Sequence, residues 1–228
     1  MRILAIGAHP DDLEIFAFGT LSAWAAMGAD LVLTVATDGA KGGALVPEAL
    51  RKLRAAETTA ALAALGVPRF LGFADGSLRA DAALETSLCD LVAEVRPDLL
   101  LTHAPEDYHA DHRALSAAAS QAAGFSVPVL LMDTLNGTGF VPTHWVEVTP
   151  FWSAKEAAIR AHVSQEPERF VNMANRQAAF RAGECNAPPD HRAEAFRFAP
   201  RFPFADIRAL LPPAPKLRPV GRRDLTAG

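Results

Sequence analysis

Two short clusters of histidine and carboxylate side chains carry most of the chemistry that this sequence offers. The first reads His9-Pro10-Asp11-Asp12, and the second, at residues 103–112, contains three of the seven histidines of the chain and three carboxylates. Imidazole and carboxylate groups are common ligands of divalent metals and common general acids and bases. His9 and Asp12 lie three residues apart, which is compatible with one divalent ion held by a tight turn. We therefore expect a metal site with proton-transfer groups beside it.

Each cluster directly follows an apolar segment that is typical of a buried parallel strand. The first segment ends at Gly7, and the second, at residues 98–102, ends just before His103. Ligands of open α/β sheets bind beyond the carboxyl ends of the strands, so clusters about ninety residues apart can meet in one crevice. A catalytic zinc usually takes three protein ligands and a water. The first cluster therefore needs a further ligand, which the second can supply.

The rest of the chain alternates predicted strands and helices. Strands are predicted at residues 31–36, 69–73, 127–133 and 144–148, and helices at residues 19–29, 47–65, 81–96 and 111–124. Two more helices are predicted after Pro150, at residues 151–163 and 168–183. This order predicts an α/β fold with a Rossmann-like, mostly parallel sheet, helices on both of its faces, and a helical C-terminal extension.

The chain is 228 residues long, which is enough to bury a substantial core. We expect a single domain at residues 1–205, with a core at residues 1–150 and the helical extension at residues 151–205. Residues 206–228, which contain several prolines and the pair Arg222-Arg223, are predicted to form a tail or an arm.

Composition argues against several classes of partner. A net charge of -4 is unlike that of proteins that bind nucleic acids or anionic membranes. No apolar run approaches the roughly 20 residues that a membrane-spanning helix requires. The chain enters its first strand without an apolar leader, so we expect a cytoplasmic protein. Cys89 and Cys185 are too far apart to define a cysteine metal site, and we expect reduced, structural thiols.

The two motifs together resemble a known family. Ala8-His9-Pro10-Asp11-Asp12 and His109-Ala110-Asp111-His112 are similar to the paired signature of the zinc-dependent de-N-acetylases called the LmbE-like or PIG-L family. Members of that family remove acetyl groups from N-acetylglucosamine-type substrates, including precursors of low-molecular-weight thiols, inositol lipids and antibiotics. The resemblance implies a metal-dependent hydrolase that takes an acetyl or other acyl group off the amide nitrogen of an amino sugar or its conjugate.

The resemblance also implies the metal ligands. His9, Asp12 and His112 are expected to hold the ion and to leave at least one coordination position open. Zn²⁺ is the expected ion. Fe²⁺ is the alternative, because a site of two histidines and one carboxylate suits both metals.

Three further residues of the motifs are expected to take part in catalysis. Asp11 matches the general base of the family, which accepts a proton from the attacking water. His109 matches the position that stabilises the oxyanion or protonates the leaving amine. Asp111 is suited to accept a ring N–H and so to orient a histidine ligand.

Four residues are candidate substrate contacts: Asp38, Arg54, Asp75 and Tyr108. The resemblance places Asp38 and Asp75 in loops around the pocket, although an aspartate before a glycine is also a common turn former. Arg54 is similar to a family arginine near the sugar; the alternative is a surface ion pair with Glu57, three residues on.

The second cluster departs from the family pattern at one position. The family can place a tyrosine two residues before the histidine matched by His109, and here that residue is Asp107. Tyr108 either reaches the oxyanion by a different loop path or simply packs. His103 and Glu106 are expected to be solvent-facing loop residues without a required role.

Two other functions remain open at this point. The same metal site would serve a zinc amidase that acts on a non-sugar amide or a thiol conjugate. A non-catalytic nucleotide-binding α/β module is disfavoured, because His9-Pro10-Asp11-Asp12 stands where phosphate-binding glycines would follow the first strand. The resemblance also implies a homo-oligomer, since trimers or hexamers occur among relatives, and the proline-rich tail would suit an intersubunit arm.

Overall fold

A seven-stranded, mostly parallel sheet lies between two layers of helices in the computed structural model, which describes residues 1–220. The strands are β1 (Arg2–Gly7), β2 (Asp30–Thr37), β3 (Arg69–Phe73), β4 (Leu99–Thr102), β5 (Val129–Met132), β6 (His144–Glu147) and β7 (Ala193–Phe198). The α-helices are α1 (Asp12–Phe16), α2 (Phe18–Ala26), α3 (Pro47–Ala61), α4 (Ala82–Val95), α5 (Ala110–Ala123), α6 (Trp152–Arg160) and α7 (Pro167–Glu184). The fold class predicted from the sequence is confirmed.

The strand order across the sheet is β3-β2-β1-β4-β5-β7-β6. Strands β1 to β5 pair in parallel, whereas β7 runs antiparallel to both β5 and β6. The chain builds outward from β1 to β3 and then crosses to β4 on the other side of β1. The crevice at such a change of direction, beyond the carboxyl ends of the strands, is where open α/β sheets bind ligands. Both polar clusters follow strands that border this crevice.

Alternate side chains of each central strand enter different helical layers, as the two-residue repeat of a strand requires. Ile3 and Ala5 of β1 pack into the layer formed with α1, α2, α6 and α7. Leu4 and Ile6 face the opposite layer, formed with α4 and α5. Because both faces are covered, β1 is apolar and buried after Arg2, and its end is held rigidly. The residues that directly follow β1, from Ala8 onward, are therefore held in a fixed position.

The C-terminal extension contains a strand that the sequence did not predict. The two helices predicted after residue 150 are present as α6 and α7, and β7 follows them between β5 and β6. Phe196 and Phe198 of β7 enter the core, while Arg197 points away from it. The strand has only six residues and carries Glu194 and Arg197, so its pattern is weaker than that of the central strands. Residues 151–205 therefore complete the sheet in addition to supplying helices.

The tail contacts the domain as far as Arg218, whose carbonyl accepts a hydrogen bond from Asn186 Nδ2. Ile207 is buried, the Leu210 carbonyl accepts a 2.8 Å hydrogen bond from Trp24 Nε1, and the Pro213 carbonyl accepts one from the Glu147 backbone at 2.9 Å. The predicted pair Arg222-Arg223 lies outside the described residues. None of the helices in residues 1–220 combines the length and the apolar character that crossing a membrane requires.

Candidate active site

Three side-chain donors converge at the crevice between β1 and β4. His9 Nδ1 lies 3.1 Å from His112 Nε2 and 3.4 Å from Asp12 Oδ2, and His112 Nε2 lies 3.4 Å from Asp12 Oδ1. Ligands bound to a tetrahedral zinc at its usual distances lie about 3.3 Å from one another. The spacing of these donors therefore fits one divalent ion, and the three residues are those expected from the sequence.

The turn after β1 brings the first two donors together. The Asp12 carboxylate accepts a 2.7 Å hydrogen bond from the backbone N–H of His9, which closes the turn. Gly7 is required here, because a β-carbon at this position would lie 2.9 Å from Asp12 Cβ. Asp11 has a φ of 114°, a conformation that a non-glycine residue adopts only at a cost. This strained backbone directs the side chains of Asp11 and Asp12 to different partners.

Two carboxylates orient the His9 ring from behind. His9 Nε2 lies 3.2 Å from Asp111 Oδ2 and 3.3 Å from Asp75 Oδ1, so Nδ1 is the nitrogen left for a metal. Asp111 is itself fixed by the backbone N–H groups of Gly76 and Leu78, at 2.7 and 3.1 Å. Burial opposes the charged form of His9, but hydrogen bonds that its ring donates to these carboxylates and to Asp12 raise its pKa to about 12. Asp111 therefore contacts the ring that it is predicted to orient.

A third carboxylate stands behind the His112 ring. Asp107 Oδ2 lies 3.1 Å from His112 Nδ1, although the angle falls outside normal hydrogen-bond geometry. Its other oxygen accepts a hydrogen bond from the backbone N–H of His109 at 2.9 Å. Burial lowers the pKa of His112, yet the charges of Asp12 and Asp107 outweigh it and raise the pKa to about 9. The residue at the position of the family tyrosine therefore faces His112, a predicted metal ligand.

His103 is fully buried beside Asp12, so its predicted solvent exposure is wrong. Its Nε2 lies 3.0 Å from both Asp12 Oδ2 and the backbone nitrogen of Ala8, and its ring stacks on His112 with centroids 3.8 Å apart. The two 3.0 Å contacts need opposite tautomers, and either one ties the end of β4 to the turn after β1. Burial and the neighbouring His112 lower the pKa of His103 to about 4. Although burial opposes ionisation, His112 and His103 hold the pKa of Asp12 well below its usual range.

Arg54 reaches the site from α3 and is almost completely buried. Its Nη2 donates to the Pro10 carbonyl at 2.6 Å and to Asp11 Oδ2 at 3.2 Å. Burial raises the pKa of Asp11 to about 6, against the opposing charge of Arg54. Glu57 does not pair with this arginine, since its carboxylate accepts hydrogen bonds from the backbone N–H and hydroxyl of Ser164 instead. The structure thus excludes the surface ion pair that was the alternative for Arg54.

His109 caps the start of α5 and faces the cleft. Its Nδ1 accepts a 3.2 Å hydrogen bond from the backbone N–H of Asp111, which leaves the ring proton of the neutral form on Nε2. The ring lies edge-on to His9, with centroids 4.6 Å apart. Burial and the charges of His9 and His112 lower the pKa of His109. A neutral ring at this place can donate a hydrogen bond from Nε2.

These residues line a cleft of about 280 Å³ whose wall contains both polar and apolar side chains. Its lining consists of His9, Asp11, Asp12, Ile15, Phe16, Lys41, Gly42, Arg54, Asp75, Gly76, Tyr108, His109, His112, Leu135 and Phe170.

Of the four residues predicted to contact the substrate, three line the cleft and one does not. Arg54 and Asp75 line the cleft, and Tyr108, 66% exposed, stands at its mouth instead of packing in the core. Within the part of the chain that the structure describes, Asp38 does not line the cleft. It accepts a hydrogen bond from the Asp75 backbone at 3.2 Å and pairs with Arg51 at 2.8 Å. Asp38 therefore acts on the cleft through the loop that carries Asp75.

Several residues of the site gave little sign in the sequence. Glu106 is exposed as predicted and pairs with Arg197. His103, three residues earlier, is instead buried within the site. The position of His103 directly after β4 is the signal that could have identified it. Leu135 and Phe170 reach the cleft from distant segments, and nothing in their local sequence marks them.

The fold and the donor set together define an α/β enzyme with a site suited to metal-dependent hydrolysis. A family model described as "PIG-L: GlcNAc-PI de-N-acetylase" matches residues 4–123, which is more than half of the chain. The chain therefore belongs to the PIG-L family, whose members are de-N-acetylases.

Relatives with related names agree with this membership. The 1D-myo-inositol 2-acetamido-2-deoxy-alpha-D-glucopyranoside deacetylase of Mycolicibacterium vanbaalenii is 30% identical over 85% of this chain and 84% of its own length. The diacetylchitobiose deacetylase of Thermococcus kodakarensis is 27% identical over 90% of this chain and 88% of its own length. GalB, the 4-carboxy-2-hydroxymuconate hydratase of Pseudomonas putida KT2440, shares the fold with a TM-score of 0.77 and 23% identity, covering 88% and 97% of the two chains. The last likeness concerns the fold alone.

Proposed function

We propose that this protein is a Zn²⁺-dependent de-N-acetylase that removes the acetyl group from the amide nitrogen of an N-acetylglucosamine-type sugar or conjugate. Membership of the PIG-L family and the names of two relatives, both deacetylases of acetamido sugars, support the reaction and the class of substrate.

One observation carries the proposal. The donor atoms of His9, Asp12 and His112 lie 3.1 to 3.4 Å from one another at the base of a cleft that also holds Asp11 and His109. An ion held by these three ligands would lower the pKa of a water to about 7 and stabilise negative charge on the amide oxygen. Because Fe²⁺ suits the same ligands, the identity of the ion as Zn²⁺ is itself part of what we propose.

Asp11 is the proposed general base. Amide hydrolysis adds the oxygen of water to the carbonyl carbon, breaks the C–N bond and moves a proton to the leaving nitrogen. Asp11 faces the cleft beside the ligands and is held by Arg54, which supports its use as the acceptor of the water proton. A pKa of about 6 leaves the carboxylate largely ionised at neutral pH while keeping it basic enough to accept a proton.

His109 is the proposed donor to the carbonyl oxygen or to the leaving amine. The hydrogen bond from the Asp111 backbone to its Nδ1 supports this role, because it leaves the ring proton on Nε2. Asp111 is proposed to keep the His9 ring in its binding orientation through their 3.2 Å contact. Arg54, Asp75 and Tyr108 are proposed to contact the sugar, while Asp38 positions Asp75.

The test is release of free amine from a panel of N-acetylglucosamine conjugates by protein of known metal content, beside a metal-stripped sample. We expect release that depends on the metal and returns when Zn²⁺ is added back. Fully metallated protein that releases amine from non-sugar amides, and from no acetamido sugar, would contradict the proposed substrate. That outcome would favour the alternative of a zinc amidase for a non-sugar amide or a thiol conjugate.

Three broader predictions from the sequence belong to the same proposal. We propose that residues 1–205 form one domain. We also propose that the protein resides in the cytoplasm and that the chain forms a homo-oligomer. Cell fractionation and analytical ultracentrifugation would test the last two.

A further inference from the structure

A second cleft of about 310 Å³ adjoins the active-site cleft. Tyr108, Leu135 and Phe170 line both of them, so the two spaces share a wall at the mouth of the site. The second cleft is completed by Asn136 and by three residues of α7, which are Arg169, Met173 and Arg176. A substrate with its acetamido group at the metal site would direct its remaining part towards this space.

Two cations of this second cleft lack partners in the described chain. Arg169 and Arg176 are both exposed, and within residues 1–220 neither forms an ion pair with a carboxylate. Nearby arginines are neutralised, since Arg181 pairs with Asp133 at 2.7 Å and Arg197 pairs with Glu106. In a chain with a net charge of -4, two unpaired guanidinium groups beside an active site form a local positive region.

The helix places the two cations at opposite ends of an apolar floor. Arg169 and Arg176 are seven residues apart on α7, which is about 10 Å along the same face of a helix. Met173 lies between them and is buried. The Arg169 guanidinium rests over the Phe170 ring at 4.6 Å from its centroid, which restricts it to the boundary between the clefts.

We propose that this second cleft is a subsite for an anionic group, a carboxylate or a phosphate, on the part of the substrate linked to the acetamido sugar. This proposal rests on the proposed function and narrows its substrate to negatively charged conjugates. Guanidinium groups bind both kinds of anion through paired N–H donors, and an apolar floor accommodates the linking carbons.

The test compares three substrates that differ only at the anomeric substituent. They are the methyl glycoside of N-acetylglucosamine, its carboxymethyl glycoside, and N-acetylglucosamine 1-phosphate. With metal-loaded protein we expect kcat/KM for at least one anionic substrate to exceed that for the methyl glycoside by about tenfold, mainly through KM. The advantage should shrink at high salt, because exposed charges are screened.

Substitutions then assign the effect to the two arginines. We expect Arg169→Gln and Arg176→Gln each to lower the anionic-to-neutral ratio of kcat/KM by about threefold to fivefold, the range of an exposed ion pair. Arg69→Gln is the matched control, since it removes the same charge from the start of β3, at the opposite edge of the sheet. That variant should retain the wild-type ratio.

A binding measurement tests the anionic subsite independently of the proposed catalytic activity. The Asp11→Asn variant, loaded with metal, should bind an anionic substrate more tightly than the methyl glycoside in calorimetry, even if turnover were absent. Equal binding and equal KM for neutral and anionic substrates would overturn the subsite. A preference that survives in the double variant Arg169→Gln/Arg176→Gln would overturn it as well. A preference for the carboxymethyl glycoside alone, or for the phosphate alone, identifies the anion.

Discussion

Asp11 and Asp12 are adjacent in sequence and yet meet entirely different surroundings. Asp12 lies among His103, His112 and the backbone of His9, which favour its ionised form. Asp11 faces Arg54 and the cleft, and burial raises its pKa to about 6. The positive φ at Asp11 makes this divergence possible within two residues. The pKa values of two identical side chains are thereby shifted in opposite directions.

Substitution of each carboxylate should therefore have a different result. We expect Asp11→Ala to retain the metal and to lower kcat by about 10²- to 10⁴-fold, the usual contribution of a general base. Asp12→Ala and His112→Ala should lose the metal as well as the activity, because each removes one of three ligands. Metal analysis of the purified variants, together with amine-release rates, checks both statements. Equal metal loss in all three variants would make Asp11 a ligand.

His103 offers a second test at the level of single residues. Its buried ring holds the Asp12 carboxylate at 3.0 Å, and partners of metal ligands commonly affect affinity by about 10- to 100-fold. We expect His103→Phe, which keeps the ring but removes its nitrogens, to weaken metal binding to that extent. Competition with a chromophoric chelator measures the affinity. His144→Phe on β6 is the control, and an unchanged affinity in His103→Phe would show that His103 only packs.

At the level of elements, the short helix α1 depends on the C-terminal extension for its position. All five of its residues are buried, and a helix of this length is not stable alone. The Glu14 carboxylate of α1 accepts a 2.9 Å hydrogen bond from His162 Nε2, and both side chains are almost fully buried. His162 follows α6, so the pair joins the C-terminal extension to the turn that carries His9 and Asp12, the predicted metal ligands.

This pair should make stability depend on pH. Burial opposes a charged His162, but its hydrogen bond with Glu14 and the charges of Glu14, Asp11 and Glu57 raise the pKa of His162 above its ordinary value. The resulting stabilisation is fully present below about pH 6.5, the ordinary pKa of histidine, and is lost as the pH rises through the raised value.

We therefore expect His162→Gln to lower the free energy of unfolding by about 3 kcal/mol at pH 6, and by less at pH 9. Chemical denaturation of the variant and of the wild type at both pH values measures the difference. Comparing the two proteins at each pH cancels the pH dependence that they share. The same loss at pH 6 and at pH 9 would refute a charged pair.

At the level of the whole molecule, the extension is part of the sheet. β7 separates β5 from β6 and pairs with both. Glu194 of β7 accepts hydrogen bonds from the backbone N–H groups of Gly19 and Thr20, at the start of α2, and pairs with buried Lys155 at 2.6 Å. Residues near the end of the chain therefore hold the helix that follows the first motif.

Two truncations test this dependence. A chain that ends at residue 190 lacks β7, leaves the edge of β5 and a buried Lys155 without partners, and should fail to fold cooperatively. A chain that ends at residue 213 keeps every contact described for the tail up to Pro213 and should melt cooperatively and bind metal. Thermal melting followed by circular dichroism distinguishes them. A cooperative transition in the shorter chain would contradict an indivisible domain.

The sequence by itself determined the alternation of strands and helices and the two motifs. Apolar strands and amphipathic helices follow from local periodicity, and the clusters that begin at His9 and His103 follow the ends of two strands. The match to a family signature then indicated the reaction and the class of substrate, and it predicted the metal ligands.

Only the tertiary structure decided the rest, because those features depend on residues that are far apart in the chain. His103 is buried because the turn after β1 covers it. β7 takes its place in the sheet by pairing with two strands that precede it by about fifty residues or more. The partners of Arg54 come from three separate loops. The second cleft likewise joins Tyr108 to α7. Local patterns report which side chains are apolar or charged, whereas packing alone determines which of them meet.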